Sequence, residues 1–305
     1  MDPSASPPRG QAPGPPGAAL ADVAAGVNAT ASSARPRRRE RRGAGLGVGV
    51  GAAAAVLVLF LALPLGALVW RAAQTGDLAP ETWTTLRQAL VLTLTTSLAA
   101  LVAIVALGTP LAYLLARRRF PGARVVDTLV DLPIVLPPAV AGIALLMAFG
   151  RRGVVGGWLA EAGVTIPFTP FAVVLAQVFV AAPFFVRAAK GGFARVDRAL
   201  EEAAADLGAP PATVFRTVTL PLARPGLAAG ATLAWARALG EFGATILFAG
   251  NLPGETQTMA LAIYGRYGAG DLQAALILAL VLLAASLAIL LGVRLLGSRP
   301  DDRTG

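Results

Sequence analysis

Long apolar blocks separated by short polar or basic segments are the dominant pattern of this chain. The clearest blocks cover residues 46–70 and 272–296, each 25 residues long. A transmembrane helix needs about 20 apolar residues to cross the hydrocarbon core, so both blocks are long enough. Four less regular blocks lie near residues 88–115, 132–150, 170–189 and 223–249. The pattern predicts an all-α, polytopic membrane protein with six transmembrane helices.

The ends of the chain differ in composition from the apolar middle. Residues 1–44 are rich in Pro, Gly, Ala and Ser and finish in a run of arginines. Such a segment buries too little apolar surface to offset the entropy of ordering. We therefore predict a disordered basic tail over 1–44, a transmembrane domain over 45–298 and a short C-terminal tail over 299–305. The first block exceeds the core of a signal peptide, about 7–15 residues, which indicates a retained span.

The composition excludes several kinds of function. Hydrophobic residues make up 56% of the chain and charged residues 14%, whereas soluble domains carry about 25% charged residues. The sequence has no cysteine and no histidine, which excludes disulfides, thiolate or imidazole metal sites and Ser-His or Cys-His catalysis. The net charge of +9 is not arranged as a basic stripe with interleaved aromatics, so no nucleic-acid partner is expected. No cofactor, metal site or catalytic residue is predicted.

Lysine and arginine are distributed unequally between the two sides of the predicted bundle. One side holds 20 of them: 7 in the tail, 4 in the 116–131 loop, 6 in the 187–224 loop and 3 at the C-terminal end. The loops on the other side hold only 5. Cytoplasmic loops of membrane proteins are enriched in these residues. The distribution therefore predicts that both termini lie in the cytoplasm.

The 187–224 loop contains a predicted amphipathic helix. Asp197 is a favourable N-cap, good helix formers follow it, and Gly208 fits the left-handed position after a helix end. Pro210 and Pro211 prevent the helix from continuing. The apolar residues at spacings of three, four and seven share one face; they are Leu200, Ala203, Ala204 and Leu207. A second short helical stretch is expected over residues 212–218, and Pro221 and Pro225 are expected to begin the fifth transmembrane helix.

The same loop carries a spaced motif. Glu202-Ala203-Ala204 is followed after three residues by Gly208 and, nine residues further on, by Val218-Thr219-Leu220-Pro221. This spacing resembles the EAA motif of ABC-importer permeases, with Val218 in place of the usual Ile. The resemblance implies an ABC-importer permease bundle in which residues 190–221 form a coupling loop that docks on an ATP-binding subunit. The residues implied to couple are Glu202, Ala203, Ala204, Gly208, Leu220 and Pro221.

The resemblance also implies an assembly in a bacterial cell membrane. Its expected members are two copies of this permease, two copies of an ABC ATPase subunit and one extracytoplasmic binding protein. No Gly-x-x-x-x-Gly-Lys-Ser/Thr loop occurs in the sequence, and such a loop is what cradles nucleotide phosphates in P-loop ATPases. We therefore expect the chain to be non-catalytic and ATP hydrolysis to take place in the separate subunit.

Two segments indicate the substrate branch. Residues 240–245 read Gly-Glu-Phe-Gly-Ala-Thr, and residues 250–258 read Gly-Asn-Leu-Pro-Gly-Glu-Thr-Gln-Thr. Both resemble molybdate permeases, whereas sulfate permeases tend to have Tyr and Ser where this chain has Phe242 and Ala244. The resemblance covers roughly residues 85–298 and implies a molybdate importer. The alternatives are a sulfate, thiosulfate or tungstate ABC permease, or an ion-coupled secondary transporter, which is expected to show internal repeats.

Arg237 and Glu241 are ionisable residues inside the predicted fifth span. Their spacing of four places them on one helix face, and charged groups at this depth usually face a protein interior or a water-filled route. Two interpretations stay open: a translocation path for an oxoanion, or a structural ion pair between helices.

Four hydroxyl residues of the second span leave a similar choice between a polar route and bonds to their own helix carbonyls; they are Thr93, Thr95, Thr96 and Ser97.

Overall fold

The computed structural model describes residues 40–76 and 79–297, and the side chains of 49–76 and 79–292. This part of the chain is helical and contains no strand. The helices are α1 (Glu40–Ala73), α2 (Pro80–Arg117), α3 (Ala123–Val135), α4 (Pro138–Phe149), α5 (Gly156–Glu161), α6 (Pro170–Ala194), α7 (Arg198–Asp206), α8 (Pro211–Val214), α9 (Leu220–Leu239), α10 (Gly243–Phe248), α11 (Met259–Gly268) and α12 (Leu272–Gly297). The described residues divide after Leu65 into two units, and the candidate sites described below lie in the second, which begins at Gly66.

Four helices of the described residues are long and apolar enough to cross a membrane. They are Gly49–Ala72 in α1, Pro80–Arg117, Pro170–Ala194 and Leu272–Gly292 in α12. The all-α membrane fold is thus confirmed, and these helices match the first, second, fourth and last predicted spans. The count of six stays a prediction. Residues 1–39 of the predicted basic tail lie outside the described residues, and so does the predicted C-terminal tail.

The third predicted span, residues 132–150, is not one helix. α3 ends at Val135, Leu136 is extended (ψ 132°), and α4 begins at Pro138. Proline clashes with the carbonyl four residues earlier and keeps the residue before it out of the helical region, so the Pro137-Pro138 pair separates the two helices. Most of the 116–131 segment, predicted as a loop, is the first part of α3.

The fifth predicted span, residues 223–249, is also wrong as a single helix. α9 ends at Leu239, and α10 begins only at Gly243. At its start, α9 continues from α8 through a π-helical turn over Phe215–Thr219, so neither Pro221 nor Pro225 begins the helical run. A π turn widens the helix, which relieves the clash of the Pro221 ring with the preceding turn.

α6 is the centre of the second unit and packs most extensively against α9 and α2. Buried aromatic side chains, Phe185 and Phe193, fill its interfaces. Gly226 of α9 lies against Gly192 of α6, where an added Cβ at Gly226 would stand 2.5 Å from the Gly192 Cα. Small residues let two helix backbones approach this closely.

The hydroxyl residues of α2 bond the carbonyls of their own helix, as one of the two interpretations predicts. Thr93, Thr95 and Thr96 each donate to the residue four positions earlier, and Ser97 donates to Leu94. Two of them also accept bonds from other elements: Thr93 from the Met259 N–H and Ser97 from the Trp235 indole. These hydroxyls therefore hold α11 and α9 against α2.

Candidate coupling surface and charged helix break

The predicted amphipathic helix is present as α7, with the predicted ends. Asp197 Oδ1 accepts a bond of 3.0 Å from the Ala199 N–H and caps the helix. Gly208 has φ +87°, and its N–H donates to the Ala205 carbonyl at 2.8 Å. Glycine adopts this conformation without the clash that a Cβ would cause. The chain therefore turns sharply after α7 toward α8.

The apolar face of α7 is open. Among the described residues, none of those in α7 is fully buried, although Leu200 and the Ala residues of the motif share one face. Leu207, directly after the helix, is 90% exposed, and Glu202 is also exposed. An exposed apolar surface with a polar rim is typical of a protein contact site. This geometry suits the docking role that the resemblance implies for Glu202, Ala203, Ala204 and Gly208.

One ion pair ties α7 to the rest of the unit. Arg117 Nη2, at the end of α2, lies 3.1 Å from Glu201 Oε1 and also donates to the Val196 carbonyl at 2.8 Å. Glu201 Oε1 accepts a second bond, of 2.6 Å, from Thr219 Oγ1. The exposed fractions are 8% for the Arg117 side chain and 20% for that of Glu201. We call these three residues, Arg117, Glu201 and Thr219, the strut.

An aromatic contact runs beside the strut. The ring of Tyr113 on α2 packs edge-on against Phe193 of α6 at 5.4 Å and against Phe215 of the π turn at 5.0 Å. Such edge-to-face pairs add about 0.5–1.5 kcal/mol beyond the area they bury. The coupling loop is therefore joined by polar and aromatic contacts to α2, α6 and the start of α9.

Arg237 and Glu241 form the predicted ion pair, but across a helix end. Arg237 Nη1 is 2.7 Å from Glu241 Oε2; the Glu241 side chain is 1% exposed and that of Arg237 is 29% exposed. Glu241 Oε1 accepts a bond of 2.8 Å from the Ala244 N–H in the first turn of α10. The carboxylate thus pairs with α9 and stabilises the start of α10, which explains a helix break at residues 240–242.

The break is held from α6 by Gln177. Its side-chain Nε2 donates to the Ala238 carbonyl at 3.2 Å, and this carbonyl, in the last turn of α9, also accepts a bond of 3.2 Å from the Glu241 N–H. Gln177 is 1% exposed. On the other side, Gly243 lies so close to Pro138 of α4 that an added Cβ would overlap its side chain. The two broken helices therefore meet at their breaks.

A cavity of about 130 Å³ lies at this meeting point. Arg237 is the one charged side chain in its lining, and the rest of the lining is apolar, including Pro133, Pro138 and Phe184. Transporters commonly bind substrates where discontinuous helices meet. An arginine that faces a small, otherwise apolar cavity is able to hold a small anion by its planar guanidinium.

Sequence reasoning missed Gln177 and the strut. Gln177 has a signal, because it is the one polar side chain within the apolar run 171–186, and such residues in a span usually have a specific partner. Arg117 and Glu201 lie 84 positions apart, and no local spacing indicates their contact. Leu220 and Pro221, the last part of the motif, are the first two residues of α9, directly after the π turn. They therefore follow Thr219 of the strut in the chain.

The family comparison decides the class of protein. A family model described as "Binding-protein-dependent transport system inner membrane component" matches residues 108–301, which is more than half of the chain. The chain belongs to this family. It is a multi-pass inner membrane component of an ABC transport system, and the predicted ABC permease class is confirmed.

Several curated permeases of this family are similar to the chain. The "Molybdenum transport system permease protein ModB" of Mycobacterium tuberculosis is 45% identical over 232 residues, which are 76% of this chain and 88% of the relative. The protein of the same name from Escherichia coli K12 is 46% identical over 178 residues, 58% of this chain and 78% of the relative. The "Sulfate transport system permease protein CysT" of Salmonella typhimurium is 39% identical over 240 residues, 78% and 87% of the two chains.

Solved ABC permeases share the fold. A chain of a bacterial ABC transporter that imports the acidic polysaccharide alginate superposes with a TM-score of 0.67 at 19% identity, covering 86% of this permease and 98% of that chain. A chain of the MetNI methionine ABC transporter, in an inward-facing conformation, gives a TM-score of 0.58 at 21% identity, with coverages of 72% and 97%. At these identities the likeness concerns the fold alone.

Proposed function

We propose that this permease is the membrane-spanning subunit of an ATP-driven molybdate importer. The observation that carries the proposal is the 45% identity to the mycobacterial molybdenum permease over 88% of that protein. The sulfate permease is similar at 39%, and Phe242 and Ala244 favour the molybdate branch over the sulfate branch. Sulfate, thiosulfate and tungstate are therefore the competing substrates that an experiment must separate.

The proposed assembly follows from the resemblance to ABC-importer permeases, and the open face of α7 supports its ATPase contact. An ABC ATPase subunit docks on Glu202, Leu207 and the motif alanines, and it supplies the ATP hydrolysis that this chain does not perform. Two permease copies, two ATPase copies and one extracytoplasmic molybdate-binding protein make up the importer. Support for the ATPase contact comes from the joint exposure of Leu200 and Leu207 beside the motif alanines, because a shared apolar patch is typical of a protein contact site.

The proposed orientation follows from charge. The excess of lysine and arginine in the loops on the α7 side, 20 against 5 overall, puts α7 and both termini in the cytoplasm. The sequence has no cysteine, so single-cysteine variants give clean labelling. Leu207→Cys should react with a membrane-impermeant thiol reagent only after the membrane is opened, and Val154→Cys should react in intact cells. Labelling of Leu207→Cys from outside would overturn this orientation.

The proposed mechanism links the two candidate sites. ATP binding closes the ATPase pair and moves α7, and the strut passes this movement to α2 and, through Thr219, to the start of α9. α9 carries Arg237 at its other end. Movement of α9 against α4 changes access to the cavity beside Arg237, which holds the anion during transit while Glu241 keeps the guanidinium in place. Arg237 and Glu241 are thus proposed to lie on the translocation path.

The test is uptake by the reconstituted complex. The permease, its ATPase subunit and the binding protein are placed in proteoliposomes, and ATP-dependent accumulation of labelled molybdate is measured with tungstate, sulfate or thiosulfate as competitors. We expect molybdate to accumulate and sulfate in excess to compete weakly. Accumulation of sulfate without molybdate would reassign the substrate, and accumulation driven by an ion gradient without ATP would overturn the ABC mechanism.

A further inference from the structure

A basic cleft lies where α2, α3 and α6 meet, apart from the strut and from the cavity beside Arg237. Its volume is about 750 Å³. The charged side chains in its lining are Arg118, Arg119, Arg124, Lys190 and Asp127. The cleft is open at one side, and neither the coupling surface nor the translocation path uses it.

The cleft has more positive charge than its own carboxylate compensates. Asp127 Oδ1 is 2.6 Å from Lys190 Nζ, so these two groups neutralise each other. Within the described side chains, Arg118, Arg119 and Arg124 take part in none of the ion pairs. Four cations against one carboxylate leave a formal excess of three positive charges. The cleft is therefore suited to an anion.

The backbone at the cleft adds to this preference. α3, which is 13 residues long, begins at Ala123 beside the cleft, and its N-cap, Gly122, has no side chain that could cap the first turn; the Ala123 N–H donates to the Phe120 carbonyl at 3.1 Å, which leaves the next N–H groups of the turn. The first N–H groups of a helix have no partner within it, and the helix dipole is positive at this end. An anion in the cleft is therefore attracted by the arginine side chains and by the end of α3 together.

α3 has two unlike faces next to the cleft. One face is bound to α6 through Asp127 and Asp131, which pair with Lys190 at 2.6 Å and with Arg187 at 3.0 Å. At helical spacing, the residues of the other face point away from α6, and they are apolar and exposed: Val125, Leu129 and Leu132. Phe120, in the cleft lining, is exposed as well. A membrane-surface helix buries an apolar face of this kind among acyl chains.

We propose that this cleft binds the phosphate headgroup of an anionic phospholipid, with its acyl chains against the exposed face of α3. A free oxoanion would use only the basic part of the site, whereas a phospholipid uses the arginines and the adjoining apolar face. Basic pockets between membrane helices on the cytoplasmic side are suited to anionic headgroups. The choice of leaflet rests on the proposed orientation, but the binding itself does not.

The experiment measures lipid binding to the full-length chain in detergent by native mass spectrometry. Dioleoylphosphatidylglycerol or dioleoylphosphatidylcholine is titrated into delipidated protein, and we expect only the anionic lipid to be retained. Each arginine near an anionic headgroup contributes about fivefold to affinity, so Arg118→Gln with Arg124→Gln should bind about 25-fold more weakly. Asp127→Asn removes the carboxylate and should bind more tightly, a gain that misfolding does not produce.

Matched variants separate a specific site from general electrostatics. Arg118→Lys with Arg124→Lys keeps the charge and should retain most of the affinity. Arg151→Gln with Arg152→Gln removes the same charge from a different, exposed loop and should leave the affinity unchanged. Equal losses in the two glutamine variants, equal retention of both lipids, or no gain in Asp127→Asn would overturn the proposal. Displacement of the lipid by an equal concentration of inorganic phosphate would identify a free-anion site instead.

Discussion

Two arginine–glutamate pairs of this permease differ in what they join. Arg117 and Glu201 come from α2 and α7, 84 positions apart, and connect separate elements. Arg237 and Glu241 are four positions apart and bridge the end of α9. The Glu241 carboxylate is almost fully buried, while Glu201 keeps some contact with water. The first pair is therefore placed to transmit movement, and the second to hold a local shape beside a cavity.

The comparison predicts that breaking the Arg237–Glu241 pair lowers the stability of the fold more than breaking the Arg117–Glu201 pair. Removing one partner of a buried ion pair leaves an uncompensated charge and costs about 3–5 kcal/mol. Arg237→Gln should accordingly lower the melting temperature strongly. Glu241→Gln should lower it less, because the arginine side chain left behind is 29% exposed whereas the glutamate side chain is 1% exposed. The measurement is thermal unfolding of the purified chain in one detergent.

The double variant separates structure from transport at this pair. Arg237→Gln with Glu241→Gln leaves no unpaired charge, so it should recover most of the lost stability. It should still transport molybdate poorly if Arg237 meets the anion. Arg237→Lys keeps the charge but loses the planar fork, and it should retain part of the uptake rate. Wild-type uptake by a stable double variant would contradict the transport role and leave a structural ion pair.

At the strut, we predict a smaller loss of stability and a large loss of coupling. Arg117→Met removes a bond that spans two elements and should cost about 1–3 kcal/mol. ATP hydrolysis by the complex should continue, while molybdate imported per ATP falls. Glu201→Gln and the double variant complete a double-mutant cycle. Because the two side chains are in contact, their effects on the free energy of unfolding should differ from additivity by about 0.5–3 kcal/mol. Strictly additive effects on uptake would show that the strut transmits nothing.

The turn after α7 offers a second comparison, between two glycines. Gly208 has φ +87°, where a residue with a Cβ is strained by about 1–2 kcal/mol. Gly208→Val should weaken co-purification of the ATPase subunit and reduce uptake. Gly268→Val is the matched control, because a Cβ at Gly268 meets open space and its φ is not positive. Equal effects of the two changes would remove the turn from the coupling mechanism.

We expect the smallest effect on stability at Glu202. This residue is exposed, and exposed substitutions usually change stability by less than about 0.5 kcal/mol. Glu202→Arg should therefore leave the melting temperature unchanged while abolishing uptake, because it reverses a charge on the docking face. Glu161→Arg reverses an exposed charge elsewhere and should preserve uptake. Normal transport by the Glu202 variant would refute the docking role of this residue.

Local features of this fold were predictable, and distant contacts were not. The Asp197 cap, the Gly208 turn and the Arg237–Glu241 pair depend on residues within a few positions of one another, so spacing was enough to predict them. The break at residues 136–137 depends on a proline pair that is visible in the sequence and indicates a kink in the third span. The break at 240–242 depends on a carboxylate that caps a new helix, which a hydrophobicity pattern does not reveal. The bond from Gln177 to Ala238 joins residues 61 positions apart, which only the packing of α6 on α9 brings together.

The central claim is that α7 is the contact between this permease and its ATPase subunit. The most direct measurement uses Leu207→Cys carrying a short photo-activated cross-linker, in membranes that contain the co-expressed ATPase subunit. Val154→Cys is the control, since Val154 is 81% exposed, close to the 90% of Leu207. We predict a cross-link to the ATPase subunit from position 207 and none from position 154. No cross-link from 207, or one from 154 instead, would contradict the account.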